Sequence, residues 1–317
     1  MSILILKPIF KKRIWGSTYF KDELYYDLDN ELYGELWSLS AHNEGETLII
    51  NGRYKGFTLS KLYIEHQELF NTKSQDFPLM VKMIHAKNDL SIQVHPDDEY
   101  ALINEKQYGK TECWYFLETK KDASIVFGHH AKNKEEMKQS IENGTCETLL
   151  DYKKVKKDDF ALIESHTIHA LKSGLLLLEI QQSSDVTYRL YDYNRIDKNG
   201  KKRELHVNKA LDVIDFPQKK QFEIIDTNKI PYLTNNIKSL TKCKYFNVEK
   251  WDINKKGNYK LTKPIFHIFT VASGHFIIND GIEEYKLNLG ESFIVCADES
   301  ELNIEGTGSI LISYCSE

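Results

Sequence analysis

Three stretches of this sequence carry side chains that could hold a metal ion or move a proton. The first is LSIQVHPDD, Leu90 to Asp98. Side chains of a strand alternate faces, so Ser91, Gln93 and His95 share one face while Ile92 and Val94 take the other. Gln93 and His95 then stand roughly 6.5–7 Å apart at Cα, near enough for their tips to meet on one ion. Pro96 ends the strand. The second stretch is GKTECWYFLE, where the same parity groups Lys110, Glu112, Trp114 and Phe116. A carboxylate and an ammonium beside large aromatics read as a pocket wall. The third is ESHTIHALKSGLLLLEIQQ, in which His169 precedes the apolar run Leu175 to Leu178. Glu179 and Gln181 continue one face of that run, and polar groups so placed need a partner or a task.

Two histidines, a glutamate and a glutamine form a nitrogen and oxygen donor set that suits zinc, with iron or manganese open on ligand type. A catalytic ion also keeps one position for water or substrate. Spacing joins Gln93 to His95 but does not bring Glu112 and His169 to the same ion. Other polar residues take simpler readings. His129-His130 follows a strand and reads as a solvated turn. His166 is off-parity from His169 and reads as structural or as part of the rim. His267 and His275 have no matching carboxylate pattern. Asp97-Asp98 caps a following helix. The runs Lys153 to Lys157 and Lys198 to Arg203 read as solvated loops.

The elements that must position these residues are mostly short strands. Runs such as SLSAH, ETLIING, ECWYFLE, SIVFGHH and FALIES, separated by turn residues, predict a barrel or sandwich. Helical spacing is found in Leu59 to Phe70, with Ser60 as cap, in Asp97 to Lys106, in Asn133 to Glu142 and in Asn208 to Val213. These read as insertions between strands. The weakly patterned stretch from about Leu205 to Ile237 sets a boundary between residues 1–235 and a smaller all-β part, residues 236–317. There Asn279-Asp280-Gly281 is a hairpin signal. DDFALIESHTIHALKSG and GESFIVCADESELNIEG share a pattern that aligns Glu301 with His169, so the second part lacks a complete metal site.

The chain has 317 residues, enough for two domains, and a net charge of -5, which argues against a general nucleic-acid binder. A few local cations could still bind one phosphate. The five cysteines, Cys113, Cys146, Cys243, Cys296 and Cys315, form no C-x-x-C pair and suit a reduced, cytoplasmic protein. The short apolar start MSILIL does not read as a signal segment, and no run is long enough to span a membrane.

Taken in order, LSIQVHPDD, GKTECWYFLE, HALKSG and LEIQQSSDVTYRLYDYNR, with RIWGS and GELWSLSAH before them, resemble the zinc-dependent type I mannose-6-phosphate isomerases in their short bacterial form. The resemblance runs from about Lys7 to Arg195 and continues as a cupin-like pattern. It implies a mainly β, cupin-type double jelly roll with a few helical insertions. It implies interconversion of mannose 6-phosphate and fructose 6-phosphate, and one zinc in the N-terminal cupin held by Gln93, His95, Glu112 and His169. Arg189 matches the active-site arginine, and Lys110 and Glu179 match positions near the reacting carbons. Lys82 and Ser91 match positions near the substrate phosphate, and Glu35 and Trp15 match pocket positions. Glu179 is favoured as the proton carrier, through a pKa raised by burial, with Lys110 as competitor. Glu179 could instead only orient Arg189, and Lys82 could be a surface lysine. The expected partner is a small sugar phosphate, and the chain is expected to act as a monomer or homodimer. A non-enzymatic sugar-phosphate-binding or metal-binding cupin, or an isomerase of another sugar phosphate, are the competing readings. One family turn, Pro-x-Gly before the last histidine, is replaced by Glu164-Ser165-His166.

Overall fold

The computed structural model describes residues 3–197, 199–218, 222–234, 236–261 and 263–316. The fold is the expected cupin-type β architecture, with short helices between strands. It forms two compact units, each assembled from separated segments. The first comprises Met1–Lys11, Glu35–Met83 and Thr227–Glu317; the second comprises Lys12–Gly34 and Ile84–Asp226.

In the first unit a sheet runs in the order Ile237–Lys242, Phe246–Lys260, Glu301–Cys315, His267–Asn279, Ser292–Val295, Ile3–Lys7 and Leu48–Ile49, with Glu284–Leu287 added beside His267–Asn279. One face carries Trp251, Ile253, Phe269, Val271, Ile310 and Ile312 into a closed apolar core. The hairpin signal at Asn279-Asp280-Gly281 does join His267–Asn279 to Glu284–Leu287. Gly281 supplies the positive φ of 94° that the turn needs.

The second unit sets two sheets face to face. One runs Leu150–Lys154, Ser124–His129, His169–Leu171, Ile92–Val94, Tyr188–Tyr191, and the other includes Ile225–Asp226, Asp159–Ile163, Glu112–Thr119 and Leu175–Gln182. Strand parity sorts the side chains. Trp114, Phe116, Ile125, Phe127, Ala161, Ile163, Leu175 and Leu177 fill the space inside. Ile92, Val94, Val126, Ala170, Tyr188 and Leu190 lie on the other face of the five-stranded sheet. The helices Lys134–Glu142 and Val207–Val213 cover that face with Met137, Ala210, Leu211 and Val213. Each fully buried large side chain contributes about 1.5–3 kcal/mol, so both faces of this sheet are strongly fixed and its register cannot slip.

The helix starts follow capping chemistry. Asp97 accepts from the Tyr100 N–H at the head of Asp98–Asn104, and Asn133 does the same for Lys134–Glu142. The helix expected over Leu59 to Phe70 is shorter than expected. It runs Leu59–Glu65 and is capped by Thr58, whose Oγ1 accepts from Lys61; Gln67–Leu69 is a separate 3-10 turn. Thr58 holds the extended backbone a cap requires, with φ -72° and ψ 153°, whereas Ser60 is already inside the helix. The sequence boundary after residue 235 falls at a position outside the described residues.

Candidate metal centre and active site

The second unit's register places five of the candidate residues in two facing sheets. On the five-stranded sheet, His169 pairs with Gln93 and Gln93 with Arg189. On the facing sheet, Ile163, Glu112 and Gln181 form a row, and Trp114 pairs with Glu179 in the next inward row. Residues directly opposite on neighbouring strands point to the same side. The chain thus brings His169 from one sheet, and His95 from just past the end of its strand Ile92–Val94, onto a carboxylate from the other sheet.

His95, Glu112 and His169 are fully buried, and one donor atom from each lies within 4.8 Å of the others. The two Nε2 atoms are 3.2 Å apart. Glu112 Oε2 is 3.4 Å from His95 Nε2, and Oε1 is 3.5 Å from His169 Nε2. The tautomers follow from the other ring nitrogens. His95 Nδ1 lies 2.8 Å from the Val186 carbonyl and His169 Nδ1 lies 2.9 Å from that of Thr167. A carbonyl only accepts, so both Nδ1 atoms carry the proton and both Nε2 atoms present lone pairs. Burial lowers the pKa of both imidazoles, that of His95 to about 3, and keeps them neutral. Two lone pairs and a carboxylate without hydrogen-bond geometry therefore face one point in a dry interior. A divalent cation satisfies all of them, and the donor set fits zinc. Gln93 Nε2 lies 3.3 Å from His169 Nε2, and rotating its amide end for end would direct the carbonyl oxygen to that point.

Lys110 joins the cluster at 3.2 Å from Glu112 Oε2. Burial works to lower the pKa of Lys110, but Glu112, Glu179 and Asp185 outweigh it and raise the value. Burial works to raise that of Glu112, and the Lys110 ammonium holds it well below the usual carboxylate range. Lys110 sits there because Gly109 lets the chain touch the helix start: a Cβ at Gly109 would lie 2.4 Å from the Asp97 carbonyl carbon. Gly109 and Asp185 are neighbours of this cluster that the periodic patterns did not single out. Neither lies in a strand, so parity carries no signal for them.

Glu179 is buried and accepts from the indole N–H of Trp114 at 3.0 Å. Arg189 donates from Nη1 to the Glu204 carbonyl at 2.7 Å, and its buried Nε has no hydrogen-bond partner. Its backbone N–H donates to His206 Nδ1. Ser91 and Trp15 are buried in the second unit, Trp15 within the inner core. Lys82, on strand Leu79–Ala86, and Glu35, on strand Tyr33–Leu39, belong to the first unit. There Glu35 accepts from Trp37 Nε1 at 2.7 Å, and the Lys82 ammonium lies 5.4 Å from the Trp37 ring. Lys82 is 3% exposed, so it is not a surface lysine.

The turn before His169 holds its shape without Pro-x-Gly. His166 adopts φ 73°, its N–H donates to the His95 carbonyl at 2.8 Å, and its ring lies 3.4 Å from Asp97. Three simpler readings need correction. Lys153 and Lys154 are exposed but lie on the strand Leu150–Lys154, paired with Ile125 and Ser124, rather than in a loop. His129 is buried, with Nε2 3.1 Å from the Asp215 carbonyl, because the segment carrying Asp215 and Phe216 packs over it. His130 is exposed, as expected. Arg203 does not project into solvent; it pairs with Asp192, as does Arg195. Lys198 lies outside the described residues.

Residues 3–123 match the family described as phosphomannose isomerase type I, catalytic domain, and residues 236–315 match the mannose-6-phosphate isomerase cupin domain. The chain is 42% identical to a mannose-6-phosphate isomerase of Bacillus subtilis (strain 168), over 98% of both chains. It is 39% identical to that of Streptococcus mutans, over 99% of this chain and 98% of the relative. Among solved structures, a mannose 6-phosphate isomerase from Bacillus subtilis superposes with a TM-score of 0.90 at 39% identity, covering 99% of this chain and 100% of the other.

Proposed function

The chain belongs to the type I phosphomannose isomerase family, and from that premise we propose that it interconverts mannose 6-phosphate and fructose 6-phosphate at a zinc centre held by His95, Glu112, His169 and Gln93. The observation that carries the metal assignment is the convergence of two neutral Nε2 lone pairs and one carboxylate in a buried space with an ammonium beside them. When bound, zinc supplies positive charge against the negative charge that develops on O1 and O2 of the sugar.

The chain's own residues divide the remaining work. Glu179 takes the proton from C2, the C–H electron pair becomes the C1–C2 double bond, and O1 gains a proton. The resulting enediol then loses a proton from the O2 hydroxyl, and Glu179 returns its proton to C1. Lys110, 3.2 Å from Glu112 Oε2, is the competing candidate for the base and also assists ring opening. Arg189 adds fixed positive charge near the same oxygens. The family resemblance assigns Lys82 and Ser91 to the phosphate, and Glu35 and Trp15 to the pocket.

The metal-holding part lies in residues 1–235, and residues 236–317 form a cupin-like part, supported by the separate match over 236–315, with no metal cluster among its described residues. The protein works in the cytoplasm as a monomer or homodimer, which the free thiols of its cysteines support for the compartment. The test is a coupled assay of mannose 6-phosphate conversion with native, chelated and zinc-reloaded protein. Activity should vanish on chelation and return with zinc. Full activity in metal-free protein rejects the metal assignment, and inactivity of zinc-loaded protein on this sugar rejects the substrate.

A further inference from the structure

Trp114 does more than fill the interior. Its side chain is 1% exposed and lies among Trp15, Phe116 and Ile163. A phenylalanine would serve that packing, as Phe116 does two residues along the same face. The indole differs by one N–H, which can donate but never accept. A core tryptophan commonly gives this proton to a backbone carbonyl. Here it goes to a carboxylate, Glu179 Oε2, at 3.0 Å. The two residues are direct partners across the sheet, so the bond is set by register. The same ring packs nearly perpendicular to the His169 imidazole, with ring centres 5.5 Å apart and planes at 74°. One rigid side chain thus touches both the proposed proton carrier and a proposed metal ligand.

The geometry points to Trp114 as a positioning residue for proton transfer. By holding Oε2 it fixes the plane of the Glu179 carboxylate, so that the group meets C1 and C2 at one angle. It also ties that plane to the position of the His169 ring. This inference rests on the reading of Glu179 as the proton carrier. An indole suits the task because it has no titrating proton near neutral pH and cannot compete with the substrate for the carboxylate's proton. Misplacement of a reacting group by about 1 Å costs about a hundredfold in rate.

The test replaces Trp114 in the zinc-loaded full chain in two ways. Trp114→Phe removes the donor and some volume. Incorporation of benzothienylalanine at position 114 replaces the N–H by sulfur at nearly constant shape. Readouts are kcat, KM, metal content and the rate of deuterium uptake from heavy water at C2. Both variants should lower kcat and deuterium uptake about 10- to 100-fold, with KM changed less than about threefold and metal content unchanged. In a Glu179→Gln background, the residual turnover should fall no further when Trp114 is changed. If the benzothienylalanine protein works within about twofold of the parent while Glu179→Gln is disabled, the positioning role is overturned and the base assignment stands. If the loss persists undiminished in the Glu179→Gln background, the role is structural and the inference fails. Near-normal turnover of Glu179→Gln overturns the base assignment and the inference with it.

Discussion

Removing the metal should cost folding stability, and the amount can be worked from the site. Both histidines keep their protons on Nδ1, so stripping the ion leaves two Nε2 lone pairs 3.2 Å apart beside the Glu112 carboxylate. Gln93 can donate to His169 Nε2 at 3.3 Å, and Lys110 compensates Glu112 Oε2 at 3.2 Å. His95 Nε2 and Glu112 Oε1 remain as buried acceptors without a donor. Each such group costs about 1–3 kcal/mol, so the metal-free fold should lie about 4 kcal/mol above the metal-bound one in relative terms. That is about three powers of ten in the folding constant, equivalent to free metal at about a thousand times its dissociation constant. The assay is urea unfolding followed by tryptophan fluorescence, in excess zinc and in excess chelator, with metal content measured in each sample. Curves that differ by less than about 1 kcal/mol, with one ion per chain confirmed in the first sample and none in the second, would refute the reasoning from unmet lone pairs.

Lys82→Met preserves volume beside Trp37 and removes the charge; it should raise KM for mannose 6-phosphate about tenfold or more while kcat changes little, as steady-state kinetics will show. An unchanged KM excludes Lys82 from phosphate binding. His267 is fully buried, its Nδ1 is bonded to the Ile265 carbonyl, and burial lowers its pKa from 6.5 to about 4. The unfolded chain takes up this proton first as pH falls, so the stability from His267 is complete above pH 6.5 and lost towards pH 4. The full effect is about 3 kcal/mol at about 1.4 kcal/mol per tenfold change in proton affinity. Unfolding curves across that range should be flatter for His267→Phe than for the parent by that amount, and equal slopes would contradict the assignment. His166 occupies the left-handed region, which costs a residue with a Cβ about 1 kcal/mol. His166→Gly should therefore unfold at higher urea than His166→Ala, with metal content the same in both.

How much of this was legible beforehand depended on whether a residue sat in a regular strand. Period-two alternation put Gln93 and His95 on one face, and Glu112 and Trp114 on another, because a pleated strand leaves no other arrangement. The helix caps Asp97 and Asn133 were readable for the same local reason, the need of the first N–H groups for an acceptor. Thr58 was missed because Ser60, two residues on, offers the same chemistry, and only backbone angles separate them. His129 looked like a solvated turn because nothing nearby in sequence announces that Asp215 and Phe216 fold over it.

The sequence alone determined the class of chemistry: donor types, strand faces, an apolar interior with a few ionisable groups in it, and a family resemblance that implied one ion for all of them. Tertiary structure decided where those groups meet. His169 and Glu112 come from different sheets, and no local period relates facing layers. The Nδ1 partners are carbonyls of Val186 and Thr167, so the tautomer of each histidine is set by backbone that the residue types cannot specify. The same holds for Lys110, whose protonation depends on Glu112, Glu179 and Asp185 being gathered around it. Electrostatic energy follows distance in space through a low-dielectric interior, and distance in space is what a one-dimensional pattern leaves open.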